Sequence, residues 1–498
     1  MSPDLTPIIV GVGQINDRPE LPTAGMNPVE LMAAALKKAE ADAGASLLAD
    51  ADFLGVVQQI SFRKLDDVPA AVAAATGAHP GTLFQTEGPN GDSPVMLLNE
   101  AANRIGAGEI RIALVCGAEA LRTAAAIAAS AEPGRKLDAT REAASRREPS
   151  YAQRYGLVAP VDVYPLYENA MRAALGQSLA EAQAESGEIW SHFSEVAAAN
   201  PNAWIRSQKT VEEIVTPSEN NRPIAFPYTK LMVANSSVNQ GAGFIVTSVG
   251  EARARGIPED RWIYVGNGAA AHEAESPLRR DRYDQSASMD VSIRRTLDLN
   301  NIDPKTLDCV ELYSCFPCIP KLARRIIDWP ADRPATVFGG LTFGGGPIGN
   351  YMSHAIGSMV DRLRASRGTG LLFANGGYAT HNHSIVISAN PIAAASFPKS
   401  YDYQAEADAQ RGPIPELDRD YSGAANVESF TVVYRRDGTP RMGVVVARTP
   451  EGKRALATVA PGDTETLASL TGAESAPVGM AGSLSLPDEA GMRHWSFA

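Results

Sequence analysis

The sequence predicts an α/β protein made of two similar strand–helix halves, with a small β domain at the C-terminal end. Three observations carry that reading. Short apolar runs alternate with amphipathic helical stretches, first from Pro7 onward and again from Trp262 onward. The two stretches repeat one pattern: a strand, a turn at a helix start (Gly91; Cys315), a helix, and a later apolar strand closing on glycine (Cys116-Gly117; Gly376-Gly377). From about 393 to 425 the composition then shifts to Pro, Ala, Asp and Ser, and two-residue alternation replaces helical spacing beyond it.

At 498 residues the chain exceeds one ordinary core. Its formal charge of −12 argues against general nucleic-acid binding. No apolar run is long enough to span a bilayer, and the first residues lack a basic-then-apolar signal pattern, so no membrane association is expected. Four cysteines in this length are too few for a disulfide framework, which places the protein in a reducing cytoplasm.

Pro7 to Gly13 reads as a buried strand running into glycine. Its Gly11-Val12-Gly13 is a fragment of a dinucleotide-binding turn without the third glycine, and is read as structural. Asn27-Pro28 caps a helix ending near Gly44, with Leu31, Met32, Ala35 and Leu36 on its apolar face. Ser93 as N-cap and Pro94 as first residue open a second helix, buried through Leu97, Leu98, Ala101, Ala102 and Ile105. Ile110 to Val115 is a strand. From about 120 to 240 the alternation breaks. An alanine-rich helix over Leu121–Ala131, a charged stretch over Arg135–Arg147, then Tyr151, Tyr155, Tyr164, Tyr167, Trp190 and Trp204 read as an excursion laid over the core.

The second half centres on Val310-Glu311-Leu312-Tyr313-Ser314-Cys315-Phe316-Pro317-Cys318. A strand ends there, and Ile319, Leu322, Ala323, Ile326 and Ile327 repeat at helical spacing. Pro317 or Pro320 suits the first turn, which sets Cys315 just before a helix N-terminus, where unpaired N–H groups and the helix dipole favour a thiolate. A glycine loop, Gly339 to Pro347, precedes a helix over Ser353–Leu363. The strand Leu371–Ala374 closes on Asn375-Gly376-Gly377-Tyr378, with His381 and His383 beyond. In the last region Phe430–Tyr434, Asp437-Gly438 and Met442–Ala447 spell a β-hairpin.

Four motifs in combination resemble the thiolase superfamily: Thr86-Glu87-Gly88-Pro89-Asn90-Gly91-Asp92-Ser93-Pro94, Tyr313-Ser314-Cys315-Phe316, the glycine loop at 339–347, and Asn375-Gly376-Gly377-Tyr378. The nearest likeness is to thiolase-like proteins of type 1, which carry an additional C-terminal domain, and behind them to the sterol-carrier-protein-type thiolases. The resemblance implies a five-layered αβαβα thiolase fold of two similar βαβαβ-type halves. The expected division is 1–255 with the inserted region at about 120–240, then 256–395, then 396–498 as a linker and a small all-β, OB-like domain.

The departures from the family pattern are specific. The nucleophilic cysteine of family thiolases falls at Gly91, by spacing to Ala107-Gly108; their Gly-His-Pro histidine falls at Gly346, and the cysteine of their Cys-x-Gly at Ala374. Of the His-Asp-Cys-Phe of sterol-carrier-type thiolases, only Cys315 and Phe316 remain. What the resemblance leaves for chemistry is Cys315 with His383, in preference to the equally polar His381, as a Cys–His pair for nucleophilic or proton-transfer work. The backbone N–H groups of Gly91 and Gly376 are the implied oxyanion hole. Against this stands a purely structural role for the same residues: a small buried cysteine, a satisfied histidine and glycines required by tight turns. Cys315-x-x-Cys318 has no second ligand pair at zinc spacing, so no metal is expected.

The resemblance further implies coenzyme A or an acyl-CoA as substrate, with Arg206, Arg222 and Lys230 of the excursion as weak phosphate-binding candidates that read equally as surface charges. The expected activity is that of an acetyl-CoA acetyltransferase-like acyltransferase, cleaving a 3-oxo acid or 3-oxoacyl-CoA in the retro-Claisen direction within lipid or aromatic catabolism. The alternative is a catalytically silent acyl-CoA-binding protein or partner-binding scaffold. The assembly expected is a monomer or homodimer, with a possible partner on the C-terminal β domain.

Overall fold

The computed structural model describes residues 2–131 and 148–498; the charged stretch read over Arg135–Arg147 lies outside the described residues. The first half comprises β1 (Pro7–Asn16), α1 (Pro28–Ala43), β2 (Phe53–Val56), α2 (Val68–Thr76), β3 (Thr82–Gln85), α3 (Ser93–Gly106) and β4 (Ile112–Ala120). The excursion follows: α4 (Leu121–Ala131), α5 (Tyr151–Arg154), α6 (Pro160–Ala174), α7 (Leu179–Ala199), α8 (Val211–Val215), β5 (Pro223–Ala225) and β6 (Tyr228–Thr229). β7 (Asn239–Ser248) and α9 (Val249–Ala254) return the chain to the core. The second half comprises β8 (Ile263–Val265), β9 (Ala269–His272), α10 (Ala287–Leu299), β10 (Cys309–Leu312), α11 (Cys318–Ile326), α12 (Tyr351–Ser366), β11 (Thr369–Gly376) and β12 (His381–Ser388). Last come α13 (Gln404–Gln410), β13 (Gly423–Tyr434), β14 (Pro440–Arg448), β15 (Arg454–Val459), α14 (Thr464–Thr471), β16 (Ala481–Leu484) and β17 (Trp495–Phe497).

Local chemistry explains the boundaries. The Asn27 side chain accepts from the Val29 and Glu30 N–H groups, Glu30 reaches back to the Asn27 N–H, and Gly44 ends α1 at φ 71°. Gly11 and Gly13 are structural: a Cβ at either would lie 2.1 Å and 2.0 Å from the carbonyls of Ala39 and Ala35, so glycine lets α1 lie flat on β1. α3 starts one residue earlier than expected, with Asp92 as N-cap and Ser93 as its first residue, and the Asp92 side chain makes no capping hydrogen bond.

The core strands form one ten-stranded mixed sheet in the order β10-β11-β12-β8-β1-β7-β4-β2-β3, with β9 on β12. β8 joins the halves by pairing antiparallel with both β1 and β12. α1 covers β1, β7 and β4 on one outer face, and α10 covers β12 and β9 on the other. Between the two halves, α3 and α12 pack on each other and on strands of both. The result is the αβαβα layering, with α3 and the end of β11 meeting in its middle.

The C-terminal strands form a second sheet in the order β15-β14-β13-β16-β17, and a bridge between Thr458 and His494 brings the last segment back to β15. The predicted hairpin is β13–β14, with Phe430 opposite Val445 and Gly438 at φ 82° in the turn. Two expectations need correction. The region is not all-β, because α14 packs on β13 and β17, and the expected linker contains α13, which packs on α10 and β9 through Ala407. The excursion also supplies β5 and β6 to the second sheet, by a short pairing of β5 with β13. Such a long-range pairing leaves no local sequence signal.

The excursion is fastened to the core by a buried ion pair. Lys321 of α11 donates to Glu168 of α6 at 2.6 Å and to the Ala182 carbonyl at 2.9 Å, while the Tyr228 hydroxyl donates to the other Glu168 oxygen at 3.0 Å. Both charged side chains are sealed from solvent. Lys321→Met, which strands the Glu168 carboxylate, is expected to lower the unfolding free energy by about 3–5 kcal/mol. Adding Glu168→Gln should recover most of that loss. Denaturant unfolding followed by tryptophan fluorescence measures both, and equal losses in the single and double variants contradict the pairing.

Candidate active site

The site is built where the N-terminus of α3 meets the C-terminal end of β11. The turn before α3 brings Gly91 against that strand so closely that a Cβ at 91 would lie 2.2 Å from the Asn375 carbonyl oxygen and 2.3 Å from the Tyr313 hydroxyl. A Cβ at Gly376 would in turn lie 2.9 Å from the Gly91 nitrogen and 3.3 Å from Asp92 Oδ1. Gly91 and Gly376, both assigned to an oxyanion hole, are therefore neighbours. The Gly91 N–H has no hydrogen-bond acceptor among the described residues. The Tyr313 phenol, only 5% exposed, likewise makes no hydrogen bond among them.

Cys315 lies beneath this turn and is buried. Phe316 stacks on Tyr164 of α6 with ring centroids 4.4 Å apart. The Tyr164 hydroxyl shares its proton between Asn375 Oδ1 at 3.2 Å and the Gly377 carbonyl at 3.1 Å, while accepting from the Ala379 N–H. Tyr167 and Arg280 close the same turn by donating to the carbonyls of Tyr378 and Ala379. Burial pushes the Cys315 thiol up to about 12, with Tyr164 and the backbone N–H groups of Phe316 and Cys315 pulling the other way. The expected activation at a helix N-terminus is thus reversed: α11 begins three residues later, at Cys318, and desolvation outweighs the dipole. Cys318 is fully buried with its thiol toward the Tyr164 carbonyl. No group of three or more His, Cys, Asp or Glu side chains suited to a metal ion occurs among the described residues.

His383 does not pair with Cys315. Its Nε2 accepts from Asn99 Nδ2 of α3 at 2.8 Å, and its ring lies against Tyr401. Burial, reinforced by His272, lowers it to about 3, so it is a neutral link between α3 and β12. Arg206 donates to Ala198 and Arg222 to Pro223, both within the excursion, and Lys230 is exposed beside them; no hydrogen bond or ion pair ties the three to the glycine turn. Reasoning from sequence missed Tyr164, Asp92 and His272. Their signals existed only as an aromatic in the excursion, an unused N-cap carboxylate and a strand-end histidine.

These features define a protein of the thiolase fold whose two halves meet at a glycine-lined turn. The chain belongs to the SCP2-thiolase-like proteins of type 1. A monomeric SCP2-thiolase like protein type 1 from Mycobacterium smegmatis is 31% identical, over 100% of both chains, with a TM-score of 0.83. Residues 402–488 match the thiolase-like protein type 1 additional C-terminal domain. The fold is shared with the Ltp2-ChsH2(DUF35) aldolase, at 18% identity, TM-score 0.59, 78% of this chain and 99% of that one. It is shared too with human mitochondrial 3-ketoacyl-CoA thiolase in complex with CoA, at 14% identity, TM-score 0.58, 78% of this chain and 99% of that one. No curated protein matches the chain significantly.

His354 of α12, like His383, is lowered from 6.5 to about 3 by burial. Both imidazoles are neutral when folded and take up protons more readily when unfolded. Their contribution to stability is therefore fully present above pH 6.5 and is lost as the pH falls toward 3. His383→Gln should flatten this acid limb, read as unfolding midpoints across that range. An unchanged pH slope in the variant contradicts the neutral assignment.

Proposed function

We propose that the protein is a CoA-dependent acyltransferase acting on a 3-oxo acid or 3-oxoacyl-CoA by retro-Claisen thiolysis, without an acyl-enzyme at the usual thiolase position. The observation that carries this reading is the unpartnered Gly91 N–H beside Gly376 and the Tyr313 hydroxyl. It is a set of polar donors left free at the meeting of the two halves, where an oxyanion would be stabilised. Coenzyme A supplies the thiol nucleophile as co-substrate. The protein's own residues do the rest. Gly91 and Gly376 hold the oxygen of the attacked carbonyl, Tyr313 donates to it, and Cys315 acts as a neutral S–H donor beneath the carbon framework, held by Tyr164. His383 sets the distance between α3 and β12. Arg206, Arg222 and Lys230 remain candidates for the phosphates only if substrate approaches over the excursion.

The division at 255 and 395 is the functional one in this reading: two halves make the site, and residues 396–498 brace the excursion that roofs it. The four cysteines are all free thiols, which suits a reducing cytoplasm. We propose a monomer, as the Mycobacterium smegmatis relative is described, acting in lipid or aromatic catabolism. One observation favours a second reading, an acyl-CoA-binding protein that performs no turnover and presents its C-terminal domain to a partner. The Tyr313 phenol fills the space that a nucleophilic side chain at 91 would need.

The test is CoA-dependent loss of 3-oxoacyl-CoA substrates of graded chain length, with CoA binding measured by calorimetry. Cys315→Ala should lower turnover about a hundredfold. The intact wild-type protein should gain no acyl mass. CoA binding with no turnover on any substrate favours the second reading, and no CoA binding removes both.

A further inference from the structure

A cluster of ionisable groups lies at the mouth of the glycine turn, and the roles assigned above leave it unused. β9 and β12 pair antiparallel with His272 directly opposite His381 at their ends. The two rings meet edge to face, with centroids 4.8 Å apart at 81°. Adjacent residues of one turn link this pair to the site. A Cβ at Gly377 would lie 3.5 Å from His381 Cδ2, and one at Gly376 3.3 Å from Asp92 Oδ1. His381 is 21% exposed and its Nε2 lies 3.3 Å from the solvent-exposed Glu275, so the pair connects bulk water to the buried turn. Asp92 is only 7% exposed. Burial pushes its carboxyl up, and His381 and His272 pull it back. His272 Nδ1 is buried and has no hydrogen-bond partner. The backbone of His272 is clamped by Gln404 and Arg411, which fixes where the ring stands.

We propose that His381, set against His272 and within electrostatic reach of Asp92, is the acid–base residue of this site, exchanging a proton with the α-carbon of a thioester whose enolate oxygen lies at the Gly91 N–H. The inference rests on the thioester reading above. In the forward step a neutral His381 nitrogen takes a proton from the α-carbon, and the C–H electron pair moves onto the carbonyl oxygen as the enolate. In thiolysis the sequence runs the other way. The nucleophile's thiol proton reaches His381, the C–S bond forms, and the C–C bond breaks with its electron pair on the enolate. The imidazolium then delivers the proton to carbon and ends neutral. Asp92 and His272 are positioning residues: the carboxylate stabilises the imidazolium and His272 holds its ring edge. Glu275 after β9, Asp402 after β12, His383 on β12 and Arg411 at the His272 carbonyl are the other charged or titratable groups around the pair.

The experiment follows deuterium entering the methyl group of acetyl-CoA in D2O, a reaction that needs the base and the oxyanion donors but no C–C bond cleavage. The wild-type protein and the distal control His494→Gln should catalyse exchange, and His381→Gln should lower its rate at least about a hundredfold. A readout independent of turnover is the NMR titration of the His272 imidazole, which should shift to lower pH in Asp92→Asn. Exchange unchanged in His381→Gln, thiolysis without any exchange, or a His272 titration indifferent to Asp92→Asn overturns the assignment. Exchange that depends on His381 in a protein that cleaves no 3-oxo substrate upholds the assignment and removes the thiolysis reading. Absence of both reactions removes both.

Discussion

The structure depends on the contact between Gly91 and the end of β11. Two backbone segments, one from each half, approach until neither position accepts a Cβ. That closeness lets α3 and α12 fill the layer between the sheet halves. It also excludes the side chain through which thiolases of the wider superfamily form their acyl-enzyme. The same turn leaves the Gly91 N–H and the Tyr313 phenol without hydrogen-bond partners among the described residues. The absence of a side chain at 91 and the free backbone donor there are thus one geometric fact, since a backbone donor survives any substitution that keeps the turn.

The excursion decides what the remaining thiol can be. The Lys321–Glu168 pair anchors α6 on α11, and from α6 Tyr164 and Tyr167 reach the 377–379 turn beside the buried Cys315. A helix dipole is worth up to about 2 kcal/mol to a thiolate. The rise of the Cys315 thiol from 9.0 to about 12 corresponds to roughly 4 kcal/mol against it. Burial wins, so Cys315 is a donor and a packing residue before it is anything else. The ionisable groups at this turn that keep a path to water are the imidazoles at the ends of β9 and β12.

What the sequence made legible was local. The Asn27-Pro28 cap of α1, the α4 helix over Leu121–Ala131, the 437–438 hairpin and the glycine turns at 91 and 376 rest on neighbouring residues, and the thiolase-type pattern followed from their order. The site was legible as a place but not as a set of partners. His381 and His383 lie on the same side of β12 and differ only in depth, and nothing in their spacing says that one faces Asn99 and the other His272. Tyr164 enters the 375–379 turn from about 210 residues earlier in the chain, and β5 joins the second sheet across a comparable gap. α13 and α14 were missed because each is short and sits in a polar or mixed stretch, where tertiary packing rather than periodicity makes the helix.

The central claim is that the Gly91 turn receives a thioester or ketone oxygen. A crystal structure with acetoacetyl-CoA bound tests it most directly. The account predicts a substrate carbonyl oxygen within hydrogen-bonding distance of the Gly91 nitrogen, with His381 turned toward the adjacent carbon and every cysteine unmodified. A substrate seated elsewhere, or an acyl group on Cys315, would contradict it.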